Sequence, residues 1–143
     1  MGKPWIAAVP KAVSARRGAM KTILFVDDNE VLARMSCEIL RRHGYGAECS
    51  YNGRDALSRF DGESFDLLVT DYRMEGMNGV ELAGLVREKA PGIPIIIVTG
   101  YAPDKKSDTV DAWLEKQEMF PALLEKVDLL LGEGAASKTP PRA

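Results

Sequence analysis

Short apolar runs that stop at polar residues alternate with stretches of helical periodicity along most of this chain. Ile23-Leu24-Phe25-Val26 is continuous, of strand length, and ends abruptly at Asp27-Asp28-Asn29. Such a run suits a strand covered on both faces. From Val31 the apolar positions Val31, Leu32, Met35, Ile39 and Leu40 recur at helical spacing, with Gly44 placed to close the helix. Tyr45 to Ser50 reads as a second, less apolar strand, which suits a sheet edge. Asn52-Gly53 marks a turn, and Ala56, Leu57 and Phe60 give a short helix that Asp61-Gly62 stops.

Leu67 to Val69 predicts a third strand that closes at Asp71, followed by a loop containing Gly76 and Gly79. Val80, Leu82, Ala83, Leu85 and Val86 then predict a helix, capped by Asn78 and ended by Pro91-Gly92. Ile93 to Val98 is the most hydrophobic strand and therefore a central one. Val110 to Leu114 is a weaker fifth strand leading to Glu115-Lys116, and a last amphipathic helix runs from about Pro121 to Leu131. Residues 100–109 must form the whole preceding crossover, close to the minimum of roughly 10 to 12 residues, and carry no amphipathic stripe. A fourth helix there is expected to be short or absent. Apolar sheet surface near Trp113 would then lack cover, so this face, with the last helix, is expected to meet a partner or a second copy.

Alternating strands and helices with short connections imply an α/β fold: a doubly wound, five-stranded parallel sheet with helices on both faces. The strand order 2-1-3-4-5 is borrowed from the flavodoxin-like fold. Residues 1–19 hold Lys3, Lys11, Arg16 and Arg17 without an acid or a sustained periodicity, and are expected to form a mobile extension, with Met20 as the natural start. The domain is expected over 20–132, and the Gly, Ala, Ser, Lys and Pro of 133–143 as a disordered tail.

Composition narrows the function. A net charge of -2, from 19 basic and 21 acidic residues, gives no electrostatic case for nucleic-acid binding. No apolar run approaches the roughly 18 residues of a membrane span. Pro10 and Lys11 break the patch from Trp5 to Val9 too early for a secretory signal, so a cytoplasmic protein is expected. Cys37 and Cys49 have no metal-ligand spacing and read as small core hydrophobes, with a disulfide the less favoured reading. His43 is the only histidine, which removes multi-histidine metal sites, and it reads as a solvated helix-end residue.

The carboxyl ends of parallel strands share one edge, so Asp27, Asp28, Asp71, Thr99 and Lys116 should gather in one crevice. Singly, each has an ordinary role: the acid pair could start a helix, Asp71 a turn, Thr99 end a strand, and Lys116 lie in solvent. Together, three carboxylates repel by about 1 to 4 kcal/mol per pair, and a hard cation relieves that cost. Mg²⁺ matches a shallow site of few oxygen ligands: Asp28 and Asp71 directly, Asp27 directly or through water, and the Arg73 backbone carbonyl. With Thr99 and Lys116 available to phosphoryl oxygens, the arrangement predicts a carboxylate that becomes phosphorylated.

At 23–29 and at Asp71-Tyr-Arg-Met-Glu-Gly-Met-Asn-Gly79, with Val98-Thr99-Gly100 and Lys116, the chain resembles the CheY-like receiver domain of two-component response regulators. The resemblance implies Asp71 as phosphoacceptor, Asp27 and Asp28 as metal-site acids, Thr99 and Lys116 as phosphoryl contacts, and Trp113 at the switch position, as a large exposed indole. Glu75, Asn78 and Gln117 depart from the family's usual Pro, Asp and Pro. About eleven residues follow the last helix, so a stand-alone regulator is expected rather than an enzyme. It would take its phosphoryl group from a sensor histidine kinase, or exchange it with a histidine phosphotransfer protein, and signal through changed contacts with a downstream protein. The alternatives are a degenerate receiver acting only as an interaction module, and a Mg²⁺-dependent aspartyl-phosphate phosphatase. Such phosphatases want a second acid two residues past the nucleophile, where Arg73 stands.

Overall fold

The computed structural model describes residues 20–100 and 108–132. Five strands, β1 (Thr22–Val26), β2 (Gly46–Ser50), β3 (Leu67–Asp71), β4 (Ile95–Thr99) and β5 (Ala112–Glu115), form one sheet in the order β2-β1-β3-β4-β5. Every pairing is parallel. All residues of β3 and β4 are buried, whereas the outer strands β2 and β5 are mixed, as their weaker hydrophobicity foretells.

The strand alternation sorts the core into two layers. Ile23, Phe25, Leu67, Val69, Ile96 and Val98 pack with α1 (Glu30–Arg42) and α4 (Met119–Leu131). Leu24, Val26, Leu68, Ile95 and Ile97 pack with α2 (Gly53–Arg59) and α3 (Gly79–Lys89). Asparagines start three helices: Asn29, Asn52 and Asn78 each accept a backbone N–H from the first turn, and Asn78 with Glu81 completes a reciprocal capping box. Arg41 and Arg42 close α1 at its carbonyl end, where positive charge is favoured. His43 donates or accepts nothing at the functional edge; its ring lies 3.1 Å from the Ile39 carbonyl, at the helix end expected of it.

Element boundaries differ from the periodicity in three places, the first being β4, which runs from Ile95 to Thr99 rather than from Ile93 to Val98. β5 begins at Ala112 rather than Val110, because the Asp111 carboxylate accepts the Ile95 N–H (2.7 Å) and the Arg87 guanidinium (2.7 Å). Arg87 also donates to the Thr109 carbonyl, so side chains hold the chain up to the start of β5. The last helical segment begins at Met119 and is interrupted by the extended backbone of Phe120, then runs regularly from Pro121 to Leu131. The expected loss of a crossover helix concerns residues 100–109, of which 101–107 lie outside the described residues. Asp108 and Thr109 form a turn. The expectations for 1–19 and 133–143 also lie outside the described residues.

Candidate functional site

Strand register builds the site. Val26 pairs with Thr70, so Asp27 follows β1 beside Asp71 at the end of β3. Asp71 pairs with Val98, which puts Thr99 one step further along β4, and Thr99 pairs with Glu115, which puts Lys116 one step beyond β5. These four polar residues therefore climb across one sheet edge like a staircase.

Helix initiation leaves the acid pair free for this edge. Asn29, not Asp27 or Asp28, caps α1, and Asp27 Oδ1 accepts the Asn29 N–H at 3.0 Å. The Asp27 N–H donates to the Ser50 carbonyl, tying the acid to β2 as well. Asp28 is exposed, and its Oδ2 lies 3.4 Å from the Glu75 N–H, a long contact with the loop after β3.

Each of Asp27, Asp28 and Asp71 offers a carboxylate oxygen, and these oxygens all lie within 4.8 Å of one another. The Lys116 Nζ is 3.5 Å from Asp27 Oδ2 and 3.4 Å from Asp71 Oδ2. Among the described residues, one ammonium faces three carboxylates at this edge. Burial, and next the Asp27 charge, push the Asp71 carboxyl up to about 6, against the opposing pull of Lys116. Hard oxygen donors this close fit a small divalent cation such as Mg²⁺.

The loop after Asp71 owes its course to its glycines. Gly76 has a φ of 88°, a left-handed conformation open to glycine. At Gly79 a Cβ would stand 2.5 Å from the Asp71 carbonyl oxygen, so helix α3 can approach the acceptor strand only without one. The Gly79 N–H donates to the Tyr72 carbonyl at 2.8 Å. Asn78, where the family usually has Asp, serves as the α3 cap.

Thr99 is buried at the end of β4, 2% exposed. Gln117 does not divert Lys116, which opens a short 3-10 turn (Lys116–Glu118) and still aims at both acids. Trp113 differs from expectation: its indole is half-buried, not exposed, and packs against Tyr72 with ring centroids 6.0 Å apart. Tyr72 is the neighbour that sequence reasoning missed. Its place directly after Asp71 was the available signal, but nothing in the sequence gives the distance to Trp113.

A family model described as "Response regulator receiver domain" matches residues 23–127. The chain belongs to the response regulator receiver domain family. It is 37% identical over 83 residues to the response regulator receiver protein CpdR of Brucella abortus, covering 58% of this chain and 69% of CpdR. It is 31% identical to the transcriptional regulatory protein GlrR of Escherichia coli, covering 79% of this chain but only 27% of that longer protein. Among solved structures, TrrA of Thermotoga maritima in complex with Mg²⁺-BeF superposes with a TM-score of 0.72 at 36% identity, covering 78% of this chain and 99% of TrrA. TrrA has also been solved in complex with the histidine kinase ThkA, and that copy matches with a TM-score of 0.71 at 35% identity, over the same shares of the two chains. As a receiver domain, the chain belongs among signalling modules. Among the described residues no helix is long and apolar enough to cross a membrane.

Proposed function

We propose that this receiver accepts a phosphoryl group on Asp71 from a phosphohistidine of a partner protein, in a Mg²⁺-dependent reaction, and signals through altered protein contacts. The observation that carries this reading is the juxtaposition of Asp71 with Asp27, Asp28 and Lys116 on one sheet edge. An Asp71 carboxylate oxygen forms the new P–O bond as the donor's P–N bond breaks, and that bond's electron pair returns to the imidazole nitrogen.

The residues divide the work. Lys116 favours the ionised form of Asp71 and supplies a cation for a phosphoryl oxygen. Thr99 supplies a hydroxyl to another oxygen. Asp27, Asp28, Asp71 and the Arg73 backbone carbonyl are assigned to the metal. Mg²⁺, when bound, would neutralise charge growing on the phosphoryl oxygens.

The ThkA complex of TrrA supports a sensor histidine kinase as donor, and its Mg²⁺-BeF complex supports the choice of cation. The Tyr72–Trp113 pair begins one residue past the acceptor and is assigned to the switch. Leu129, 62% exposed on α4, supports a protein contact on that helix.

Incubating the full chain with an acyl phosphate, with and without Mg²⁺, followed by intact mass, tests the reading. One phosphoryl addition is expected in the native protein with Mg²⁺ and none in Asp71→Asn. Equal addition to both proteins, or none to either, would overturn it.

A further inference from the structure

The two cysteines meet. Cys37, on α1, is fully buried, and Cys49, on β2, is half-buried above it, with the two sulfur atoms 3.0 Å apart. A disulfide needs about 2.0 Å between sulfurs, so closure asks for a movement of about 1 Å. Both thiols are free. Their spacing of twelve residues gives no motif, which is why periodicity alone reads them as core filling.

The surroundings distinguish the two. Cys49 lines an open cleft of ≈ 490 Å³ that also presents the guanidinium groups of Arg34, Arg41 and Arg59, with Glu38 and Glu48 between them. A small oxidant can reach this sulfur from the cleft. Cys37 has no such access. Burial, and then the Cys49 sulfur, push its thiol up from the ordinary cysteine value, so it remains protonated until its neighbour reacts.

We infer that Cys37 and Cys49 form an oxidisable dithiol, with Cys49 the sulfur attacked by hydrogen peroxide and Cys37 the resolving sulfur that closes a disulfide between α1 and β2. The Cys49 thiolate takes one peroxide oxygen, the O–O bond breaks, and the departing hydroxide gains a proton to become water, leaving a sulfenic acid. Cys37 then loses its proton and displaces hydroxide from the Cys49 sulfur, forming the S–S bond and a second water. Two thiols and one peroxide thus give one disulfide and two waters.

The staple would sit next to the acidic edge. Ser50, adjacent to Cys49, accepts the Asp27 N–H, and α1 starts three residues after Asp27. Oxidation therefore fastens the helix that leads out of the acid pair, without any step that requires Asp71.

The test treats the reduced full chain with equimolar hydrogen peroxide, then alkylates remaining thiols under denaturing conditions and maps the peptides. The native protein is expected to lose both alkylatable thiols, to fall in mass by two hydrogens as a monomer, and to recover both thiols with dithiothreitol. Its melting temperature should rise by several degrees on oxidation. In Cys37→Ala the product should stop at a Cys49 sulfenic acid that dimedone traps, and in Cys49→Ser the Cys37 thiol should survive the same dose. Two alkylatable thiols left in the treated native protein, or disulfides only between chains, would overturn the inference, and neither result depends on a variant folding.

Discussion

Asp71 is asked to be buried and ionised at once. Its side chain is 7% exposed and faces Asp27, and Lys116 offsets these penalties only in part, so the carboxyl is pushed up to about 6. A carboxyl whose folded value is raised lends stability below its unfolded value, and that contribution is lost as pH rises through about 6. In metal-free protein at pH 7, Asp71→Asn should therefore melt about 3 to 8 °C above the native chain, a gain of about 1 to 2 kcal/mol after allowance for the open edge. Below pH 4 the two should melt together. Calorimetry with a chelator present checks both halves, and a native protein that melts higher than the variant at pH 7 would contradict the assignment. Phosphoryl uptake should rise with pH to a plateau whose midpoint lies at or below about 6, because a bound cation can only pull the carboxyl down. A plateau reached only above pH 8 in an uptake assay would point to a different titrating group. The positions of Asp27, Asp28, Asp71, Thr99 and Lys116 were legible because each stands where an apolar strand stops. The Tyr72–Trp113 contact and the meeting of Cys37 with Cys49 were not: the first joins the loop after β3 to β5, the second joins α1 to β2, and periodicity within an element gives no distance between elements.

At the scale of elements, the loop and helix after β3 set the acceptor's backbone. Two glycines of α3 make a matched pair. Gly79→Ala would drive a methyl group against the Asp71 carbonyl, where backbone cannot yield cheaply, while Gly84 has nothing within 4 Å of the place its Cβ would take. Gly79→Ala is expected to destabilise by about 1 to 3 kcal/mol and to depress phosphoryl uptake, as overpacking at backbone does. Gly84→Ala is expected to stabilise by about 0.5 to 1 kcal/mol with uptake unchanged, from helix propensity alone. Denaturant unfolding alongside the uptake assay separates the two, and equal effects would refute the close approach. Asn78 carries a similar lesson: the capping box with Glu81 contributes about 1 kcal/mol, so Asn78→Ala should lower stability by that amount in the same unfolding assay. The start of α3 was readable from Asn78; Asn29 and Asn52 read only as a strand end and a turn, and their capping roles came with the structure. The start of β5 was not readable either. It is fixed by Asp111 reaching Ile95 and Arg87, long-range bonds that leave no periodic trace.

Over the whole molecule, one sheet decides both what is buried and what is displayed. The order β2-β1-β3-β4-β5 puts the strands ending in Asp27, Asp71 and Thr99 side by side at the centre, and β5 brings Lys116 in from the flank. The class of fold followed from alternating apolar runs and helical stripes, and the two-layer core confirms their faces. Strand order came from resemblance, because periodicity carries no information about which strands are neighbours. The most direct measurement is the location of the phosphoryl group itself. After treatment with acyl phosphate and Mg²⁺, borohydride reduction should convert the acceptor aspartate to homoserine, which peptide sequencing by mass spectrometry can place. The account predicts homoserine at Asp71 and nowhere else; homoserine at Asp27 or Asp28, or none at any aspartate, would contradict it.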